Sequence, residues 1–582
     1  MKKKNAIVIF PPQWCPFNPY PSVPTLVGCL NGAGFPARGL DLNIRFYRSL
    51  FTREHLEQAM ERAFREGCET LPDRQRAETV CRRIEESLAV FRDEDRFYDP
   101  EQLFRAKADL NDALEIISAP YRPSRLMITD YFHRAPLYDF ETIVAESEDP
   151  DANLFYSFLK KAAEEIAGSS ADYLLISVTD ITQILPLFTL CGFLKQCCDK
   201  PVCIGGNIVT KLKSAFLSEK RFFDAYTDYV ACGPGETATV AFAEYINGMR
   251  PAAEVPGLLY RDADGTILSN PESPAAFPSV ALPDYTGLDF SEYLSPAPDC
   301  SIQLSRGCYW GKCAFCDVSF NREAYAAKPV AIAIQEISHL ASLGIRHIHL
   351  GDSSVSPAYF DKLCDAILQQ DLHICLFAFA RLEKAFTPAL FAKMYRAGVR
   401  LIFWGYESQS DRVMKMINKG IDVERRLKIL RMSADAGIWN HVSFMIGFPG
   451  ETKEEGLETL RVIRENRDVV DSCFLARFSF KTNAKIHEDT QKYGLAGVKE
   501  KGSFSTECFY NAEGMTKEEI RSLSQEFRRA YLNDNMDTLW PMVCDDLEHL
   551  LFYLSRYGRE GVRRLRISDR AAAETLYRKY LL

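Results

Sequence analysis

Three cysteines lie within nine residues of one another: Cys308, Cys313 and Cys316, in the segment S-R-G-C-Y-W-G-K-C-A-F-C. Soft thiolates favour zinc or iron–sulfur, and a four-iron cluster held by only three cysteines leaves one iron open for a further ligand. The alternatives are a zinc site and three unrelated buried thiols. A structural zinc site would need a fourth Cys or His nearby, and none follows within the next twenty residues.

The cysteine segment follows a short apolar run, and regular alternation of strands and helices follows it. We predict strands at 302–304, 348–350, 374–379, 401–404, 442–446 and 472–480, with helices between them. Six strands connected by helices favour a parallel barrel, or most of one, whose site lies at the carboxyl ends of the strands. The cysteines would then lie in the loop after the first strand.

With this placement, residues from about 299 to 495 resemble the radical S-adenosylmethionine (SAM) superfamily. The usual family spacing is Cys-x3-Cys-x2-Cys, and this loop has one extra residue between Cys308 and Cys313. The resemblance implies a 4Fe–4S cluster on the three cysteines and SAM on the open iron, cleaved reductively to a 5′-deoxyadenosyl radical. It also implies an external electron donor such as flavodoxin or ferredoxin.

The resemblance further implies which residues contact SAM. Phe315 occupies the aromatic position before the last cysteine, near the adenine. The other implied cofactor-binding residues follow the second, fourth and fifth barrel strands: Gly351, Asp352, Ser353, Glu407, Ser408 and Gly447. Glu407 would accept hydrogen bonds from ribose hydroxyls.

Four charged residues near these strand ends are open to two interpretations. Arg381 could bind the SAM carboxylate bidentately, or could form a surface salt bridge with Glu383. Lys415 and Lys419 have the i,i+4 spacing of one helix face, which usually means a solvated face. We therefore do not include these four residues in the predicted site.

The front of the chain also alternates strands with helices, which predicts a doubly wound sheet with ligand-binding strand-end loops. It resembles the Rossmann-like cobalamin-binding domain found in one class of radical SAM enzymes. The cobalamin-binding residues implied are Thr179, Gln183, Gly205, Gly206, Asn207, Gly233 and Glu236. The Asp-x-His-x-x-Gly motif is absent, so no His from that motif would ligate cobalt. The alternative is a Rossmann-like domain that binds nothing.

We therefore predict an α/β protein with four regions. Residues 1–255 form the cobalamin-binding domain, with a helical insert at about 44–167. A linker spans 256–298, where prolines recur; a partial (β/α)6 TIM-type radical SAM barrel spans 299–500; and a helical C-terminal region spans 501–582.

The overall composition of the chain disfavours some classes of binding partner. The net charge of −9 gives no global attraction for nucleic acid, and no apolar run is long enough to cross a membrane. We expect a cytoplasmic enzyme acting on a peptide or small molecule. The segment Trp310-Gly311 and residues 514–519 resemble radical SAM proteins that modify peptides. Cobalamin beside such a barrel implies C-methylation of an unactivated carbon. The alternatives are cobalamin-assisted rearrangement or cyclisation without methyl transfer, and a non-catalytic sensor or electron carrier.

Overall fold

The structure is a computed structural model that describes residues 3–68, 72–273, 277, 281–318, 325–535, 538 and 547–581. The chain divides into two compact units. The first comprises residues 1–92, 109–294 and 501–506, and the second comprises residues 93–108, 295–500 and 507–582. The predicted fold class, two α/β units followed by helices, is confirmed.

The first unit contains a seven-stranded sheet with the order β2-β1-β5-β6-β7-β8-β9. Strands β1 and β5 are buried along their whole length, which explains their continuous apolar sequences. The strands are β1 (Ala6–Phe10), β2 (Ala37–Asp41), β5 (Tyr173–Ser177), β6 (Val202–Gly205), β7 (Tyr229–Ala231), β8 (Leu258–Arg261) and β9 (Ile267–Ser269), and a separate hairpin pairs β3 (Arg125–Leu126) with β4 (Tyr131–Phe132).

The helices between β1 and β8 cover this sheet or form the insert after β2, except that α5 and the first half of α6 belong to the second unit. They are α1 (Ser22–Gly32), α2 (Leu42–Leu50), α3 (Arg53–Arg65), α4 (Arg74–Arg92), α5 (Glu94–Phe97), α6 (Pro100–Ser118), α7 (Phe140–Glu148), α8 (Tyr156–Ala167), α9 (Ile184–Cys197), α10 (Asn207–Lys211), α11 (Lys213–Ser218), α12 (Lys220–Ala225) and α13 (Gly235–Ile246). Strands β1, β2, β5, β6 and β7 are parallel. Strand order therefore reverses between β1 and β5, the position at which doubly wound sheets bind ligands.

The structure differs from the predicted domain boundaries in three places. Residues 256–298 were predicted as a linker, but β8 and β9 add to the sheet as antiparallel strands, because the free edge of β7 offers unpaired backbone groups. Residues 93–108 of the predicted insert belong to the second unit. The C-terminal region is not entirely helical, since a hairpin formed by residues 496–500 and 508–511 precedes its helices.

The second unit contains six parallel strands in chain order, β10-β13-β14-β15-β16-β17. These are β10 (Asp299–Ile302), β13 (His347–Leu350), β14 (Cys375–Arg381), β15 (Val399–Glu407), β16 (Trp439–Ile446) and β17 (Ser472–Arg477). Two antiparallel hairpins accompany them: β11 (Ser305–Arg306) with β12 (Ala326–Ala327), and β18 (Ala496–Glu500) with β19 (Cys508–Asn511).

Helices connect successive barrel strands and continue to the C-terminus. They are α14 (Val330–Ser342), α15 (Pro357–Gln369), α16 (Pro388–Arg396), α17 (Asp411–Ile417), α18 (Val423–Asp435), α19 (Lys453–Glu465), α20 (Lys517–Asn533), α21 (Leu547–Arg564) and α22 (Arg570–Leu581). Local sequence sets their starts. For example, Thr452 and Glu455 form a capping box at α19. No helix among the described residues is long and apolar enough to cross a bilayer.

Candidate cluster and cofactor site

The cysteine loop leaves β11 at the carboxyl end of the first barrel strand. Gly307 and Gly311 have φ values of +69° and +57°, a left-handed conformation that glycine adopts without steric cost and that turns the chain twice in five residues. Cys308, Cys313 and Cys316 are each partly exposed. The loop thus places three partly exposed cysteines at one end of the barrel.

Hydrogen bonds fasten this loop to the segment that follows α17. The Ala314 amide donates to the Ile417 carbonyl at 2.8 Å. The Trp310 indole donates to the Asn418 carbonyl at 2.8 Å, and the Asn418 side-chain amide donates to the Lys312 carbonyl at 3.1 Å. Because Asn418 has φ +58°, the chain reverses here and α17 ends.

Next to the thiols lies a buried ion pair that the sequence did not reveal. The Lys419 ammonium donates to a Glu407 carboxylate oxygen at 2.6 Å, and both side chains are less than a tenth exposed. Gly405 makes room for the pair, since a Cβ there would lie 2.6 Å from Lys419 Nζ. Burial acts to lower the pKa of Lys419, but Glu407 and Cys313 outweigh it, so the pKa is raised. Lys419 is therefore a fixed cation beside the cysteine loop.

Arg381 forms a second buried cation in the same layer. It donates to the Lys419 carbonyl at 2.7 Å and to Glu383 at 2.9 Å, and it stacks 4.5 Å from the centre of the Trp310 ring. Burial raises the pKa of the Cys313 thiol, and Lys419 and Arg381 oppose that rise. Two cations therefore face the middle cysteine.

These positions change the interpretation of the four charged residues that were not included in the predicted site. Lys419 lies beyond the end of α17, so it does not share a helix face with the exposed Lys415. Arg381 does form the salt bridge with Glu383 that was considered for it, but Arg381 is 3% exposed, so this ion pair is not a surface one. Helix periodicity failed here because the left-handed residue Asn418 interrupts it.

Glu407 itself has φ +69°, which is costly for a residue with a side chain, and it coincides with a register shift between β15 and β16. The fully buried Arg426 supports this turn. Its guanidinium donates to the carbonyls of Tyr406 and Ser408, both at 2.6 Å, and lies over the Tyr406 ring. Arg426 therefore stabilises the conformation that presents Glu407.

The remaining residues predicted to bind SAM divide into two groups. The centre of the Phe315 ring lies 5.8 Å from Lys419 Nζ, and Gly351 and Ser353 are exposed at the end of β13. The SAM-binding roles of these three residues remain predictions. The others are engaged in structural contacts, which are described next. They were chosen by order along the chain, which does not specify the direction of a side chain.

Asp352 accepts hydrogen bonds from the Leu304 amide and the Ser305 hydroxyl, and burial raises its pKa to about 6. Ser408 is fully buried and contacts Thr459 of α19. Gly447 has φ +83° and packs against Ile520 of α20. These three residues hold strand ends in place.

The three thiols suit an iron–sulfur cluster by the chemistry of the donor set. Within the described part of the chain, no three His, Cys, Asp or Glu side chains are gathered closely enough to hold one metal ion. In a four-iron cluster each thiolate binds a different iron, so the sulfurs need not converge on one point. All three thiols lie within the nine-residue segment from Cys308 to Cys316.

In the first unit, the predicted cobalamin-binding loops lie at the carboxyl ends of β5, β6 and β7. Gln183 is buried. Its amide donates to the Pro11 carbonyl at 2.8 Å and its oxygen accepts from the Thr179 amide at 2.8 Å. The Thr179 hydroxyl is 2.6 Å from that of Tyr20. Gln183 thus links the ends of β1 and β5, where strand order reverses, and leaves Thr179 partly exposed there.

Glycines shape the neighbouring loops. Gly206 has φ +121°, and a Cβ there would lie 2.1 Å from the Val178 carbonyl oxygen. Gly205 ends β6 beside it, and Asn207 is exposed at the start of α10. Gly233 has φ +85°, and Glu236 lies in the first turn of α13. No His is present in these loops. These glycines let the loops pack closely, because Val178 fills the space of a Gly206 Cβ and the Glu272 side chain fills that of a Gly233 Cβ.

Together, the second sheet and its thiol-bearing loop define a parallel α/β barrel protein with a cofactor site at the strand ends. Residues 302–463 match the family model of the radical SAM superfamily. This part of the chain is therefore a radical SAM domain.

Curated relatives match over less than half of the chain. The uncharacterized methyltransferase PH0819 of Pyrococcus horikoshii is 27% identical over 274 residues, which are 45% of this chain and 58% of that protein. A tRNA-2-methylthio-N(6)-dimethylallyladenosine synthase of Shewanella sp. (strain W3-18-1) is 27% identical over 202 residues, or 32% and 42%. The chain thus spans about half the length of the curated relatives it matches.

Solved structures match over both units. The radical SAM methyltransferase TsrM from Kitasatospora setae, with tryptophan substrate and a SAM analogue bound, gives a TM-score of 0.59 at 14% identity and covers 96% of this chain and 98% of its own. The cobalamin-dependent radical SAM enzyme OxsB, with aqua-cobalamin and SAM bound, gives 0.55 at 13% identity and covers 92% and 67%. The fold is therefore that of cobalamin-dependent radical SAM enzymes.

Proposed function

We propose that this protein is a cobalamin-dependent radical SAM methyltransferase that methylates an unactivated carbon of a peptide or small molecule. The observation that carries the proposal is the three-cysteine loop at the carboxyl end of the first strand, within a region that matches the radical SAM family model. The loop lies in the position and has the donor set that an iron–sulfur cluster with one open iron requires.

Cys308, Cys313 and Cys316 would hold the cluster. When bound, the cluster and SAM supply a hydrogen-abstracting 5′-deoxyadenosyl radical, and cobalamin supplies the methyl group. Phe315, Gly351, Ser353 and Glu407 are the predicted SAM contacts that remain accessible or adjoin the cysteine loop.

The protein's own contribution is to position these groups. The bonds from Ala314 and Trp310 hold the middle of the cysteine loop against the end of α17. The paired cations Lys419 and Arg381 provide positive charge beside the thiolates, which favours their ionised, metal-binding form.

For cobalamin, the loops containing Thr179, Gly205, Gly206 and Gly233 are the proposed cradle. The lack of a Cβ at Gly206 and Gly233 supports it, because both glycines have backbone conformations that bring neighbouring strand ends close together. Gln183 would position the Thr179 loop through its three backbone hydrogen bonds rather than contact the corrinoid directly. Asn207 and Glu236 remain proposed contacts.

An external reductant is required by the chemistry of the superfamily, and we propose a flavodoxin or ferredoxin. A cytoplasmic location fits this need and the absence of disulfides among the described cysteines. Cobalamin-assisted rearrangement or cyclisation without methyl transfer is the second candidate, since it would use the same three cofactors.

The first experiment tests the cluster. Cys308→Ser, Cys313→Ser and Cys316→Ser are each purified anaerobically and reconstituted, and iron and sulfide are quantified. We expect a loss of cluster in each variant, whereas Cys197→Ser, which alters an exposed thiol of the first unit, retains it. A full cluster in all three variants would overturn the assignment.

The second experiment tests the reaction. Wild-type protein with SAM and reductant should release 5′-deoxyadenosine, and its visible spectrum after incubation with cobalamin should include corrinoid bands. Methyl transfer predicts S-adenosylhomocysteine as a second product, and 5′-deoxyadenosine without it would favour rearrangement. Release of neither product would contradict both candidates.

A further inference from the structure

The inner face of the barrel contains aromatic side chains rather than the branched aliphatic residues that usually fill such an interior. Neighbouring strand residues point to opposite faces. Trp404 packs against Phe386 and Phe391, so it faces the helix layer on the outside. Phe403 therefore faces inward, and Phe379 of the adjacent strand stacks on it with ring centres 4.9 Å apart.

Strand register arranges the inward residues in two rows. The deeper row runs Phe379, Phe403, His441 and Ser472, and the row nearer the carboxyl ends runs Arg381, Gly405, Ser443 and Phe474. Two residues along a parallel strand span about 6.6 Å. The aromatic pair thus lies one layer below the layer that contains Arg381 and Gly405. It therefore lies below the point at which Arg381 contacts Trp310 of the cysteine loop.

These inner rings are accessible. Phe379, Phe403 and Phe474 are partly exposed, and so is Ser443, whereas the outward-facing Trp404 is fully buried. Aromatic side chains that keep exposed surface inside a barrel line a space open to a ligand. These four strands therefore present ring faces and the Ser443 hydroxyl to the interior.

The charge of this space is equally informative. Neither row contains a carboxylate, and the cations at the upper row are already paired. Arg381 is bonded to Glu383 and to the Lys419 carbonyl. The Lys419 ammonium, which lies beside Gly405, is bonded to Glu407. His441 is neutral, because burial lowers its pKa to about 3. A charged ligand group would find no counter-ion in the deeper row, so the group that enters must be uncharged.

We propose that the aromatic slot, defined as Phe379, Phe403, Phe474 and Ser443, binds an uncharged aromatic or heteroaromatic ring of the substrate. The ring stacks on Phe379 and Phe403, and a polar substituent contacts the Ser443 hydroxyl. The inference deepens the proposed function, on which it rests for the identity of the ligand as substrate. It identifies the substrate's reacting part as a flat ring system or a carbon attached to one.

The test compares two probes of similar shape, 2-naphthol and decahydro-2-naphthol. Both are uncharged at neutral pH and have one hydroxyl, but only the first is aromatic. Binding to the full-length, cluster-reconstituted protein is measured by titration calorimetry. We expect 2-naphthol to bind more tightly, and Phe403→Leu or Phe379→Leu to weaken it by about two- to tenfold, the range of one aromatic contact.

The saturated probe and a control variant separate recognition from folding. Decahydro-2-naphthol should bind the Leu variants as it binds wild type, because leucine preserves apolar volume. Phe132→Leu, which changes an exposed phenylalanine of the first unit, should alter neither affinity. Equal binding of both probes to wild type, or 2-naphthol binding that the slot variants leave unchanged, would overturn the slot. Loss of both probes in a Leu variant would also overturn aromatic recognition.

Iron content and 5′-deoxyadenosine release, measured on the same samples, distinguish this proposal from the proposed function. If wild type contains no cluster and releases no 5′-deoxyadenosine but shows the predicted probe pattern, the aromatic slot is supported and the proposed function fails. If the cluster and SAM cleavage are normal but the probes bind without aromatic preference, only the slot fails.

Discussion

Replacing Lys419 by methionine tests whether the cation beside the cysteine loop is buried and paired. The side chain is 9% exposed, and its ammonium lies 2.6 Å from the Glu407 carboxylate. Methionine keeps the length and apolar stem of lysine but removes the charge. The variant therefore leaves the Glu407 carboxylate in a site from which water is nearly excluded.

The expected cost follows from that burial. Removing one partner of a buried ion pair usually destabilises a protein by about 3–5 kcal/mol, because the remaining charge is uncompensated. We expect the same range for Lys419→Met. In the double variant Glu407→Leu with Lys419→Met both charges are gone, and most of that free energy should return. Lys415→Met is the matched control: this lysine is exposed on α17, and we expect a change within about 0.5 kcal/mol.

The assay is urea unfolding of the full-length protein without cluster, followed by circular dichroism. Because a protein with two compact units can unfold in more than one transition, the free energy is taken from the transition that the Lys419 variant shifts. Similar small effects of Lys415→Met and Lys419→Met would refute the buried pair. A double variant as unstable as the single one would refute the electrostatic cause and indicate lost packing.

Three other predictions concern titration, backbone strain and thiol ligands. Burial raises the pKa of Glu451 from 4.5 to about 7. The folded state therefore binds the proton more tightly than the unfolded state does. The free energy of unfolding should fall by roughly 3 kcal/mol as the pH rises from 4.5 to 7. Glu451→Gln should remove that slope in unfolding curves at pH 5 and 8, and an unchanged slope would exclude Glu451. Gly206→Ala should destabilise the first unit by at least about 2 kcal/mol, since its Cβ would clash with a carbonyl oxygen. The control is Gly248→Ala, whose Cβ would meet nothing within 4 Å and which should cost about 1 kcal/mol. Equal shifts of the unfolding temperature in the two variants would contradict the clash. Cys316→Ser should lower iron content without lowering the unfolding midpoint of the metal-free protein, because the thiol is partly exposed; a lower midpoint would indicate a structural role.

The periodicity of apolar residues and the spacing of the cysteines were enough to predict the strands and the cysteine loop of the second unit. The six parallel strands follow from short apolar runs that alternate with amphipathic helices, and the cysteine loop follows from three thiols after the first run. The fold class needed only local information, since parallel strands that are buried on both faces require continuous apolar sequence. The prediction of a linker at 256–298 missed β8 and β9, because edge strands pair through backbone groups and side-chain composition does not reveal that pairing.

The sequence by itself therefore determined the two α/β units, the cysteine loop and the superfamily resemblance. Only the tertiary structure decided the surroundings of that loop. The local sequence predicts that Lys419 and Arg381 are exposed to solvent. They are buried in the structure because Asn418 reverses the backbone and Gly405 leaves space on a neighbouring strand. The stacking of Phe379 on Phe403 likewise depends on the register between two strands, which no single segment specifies.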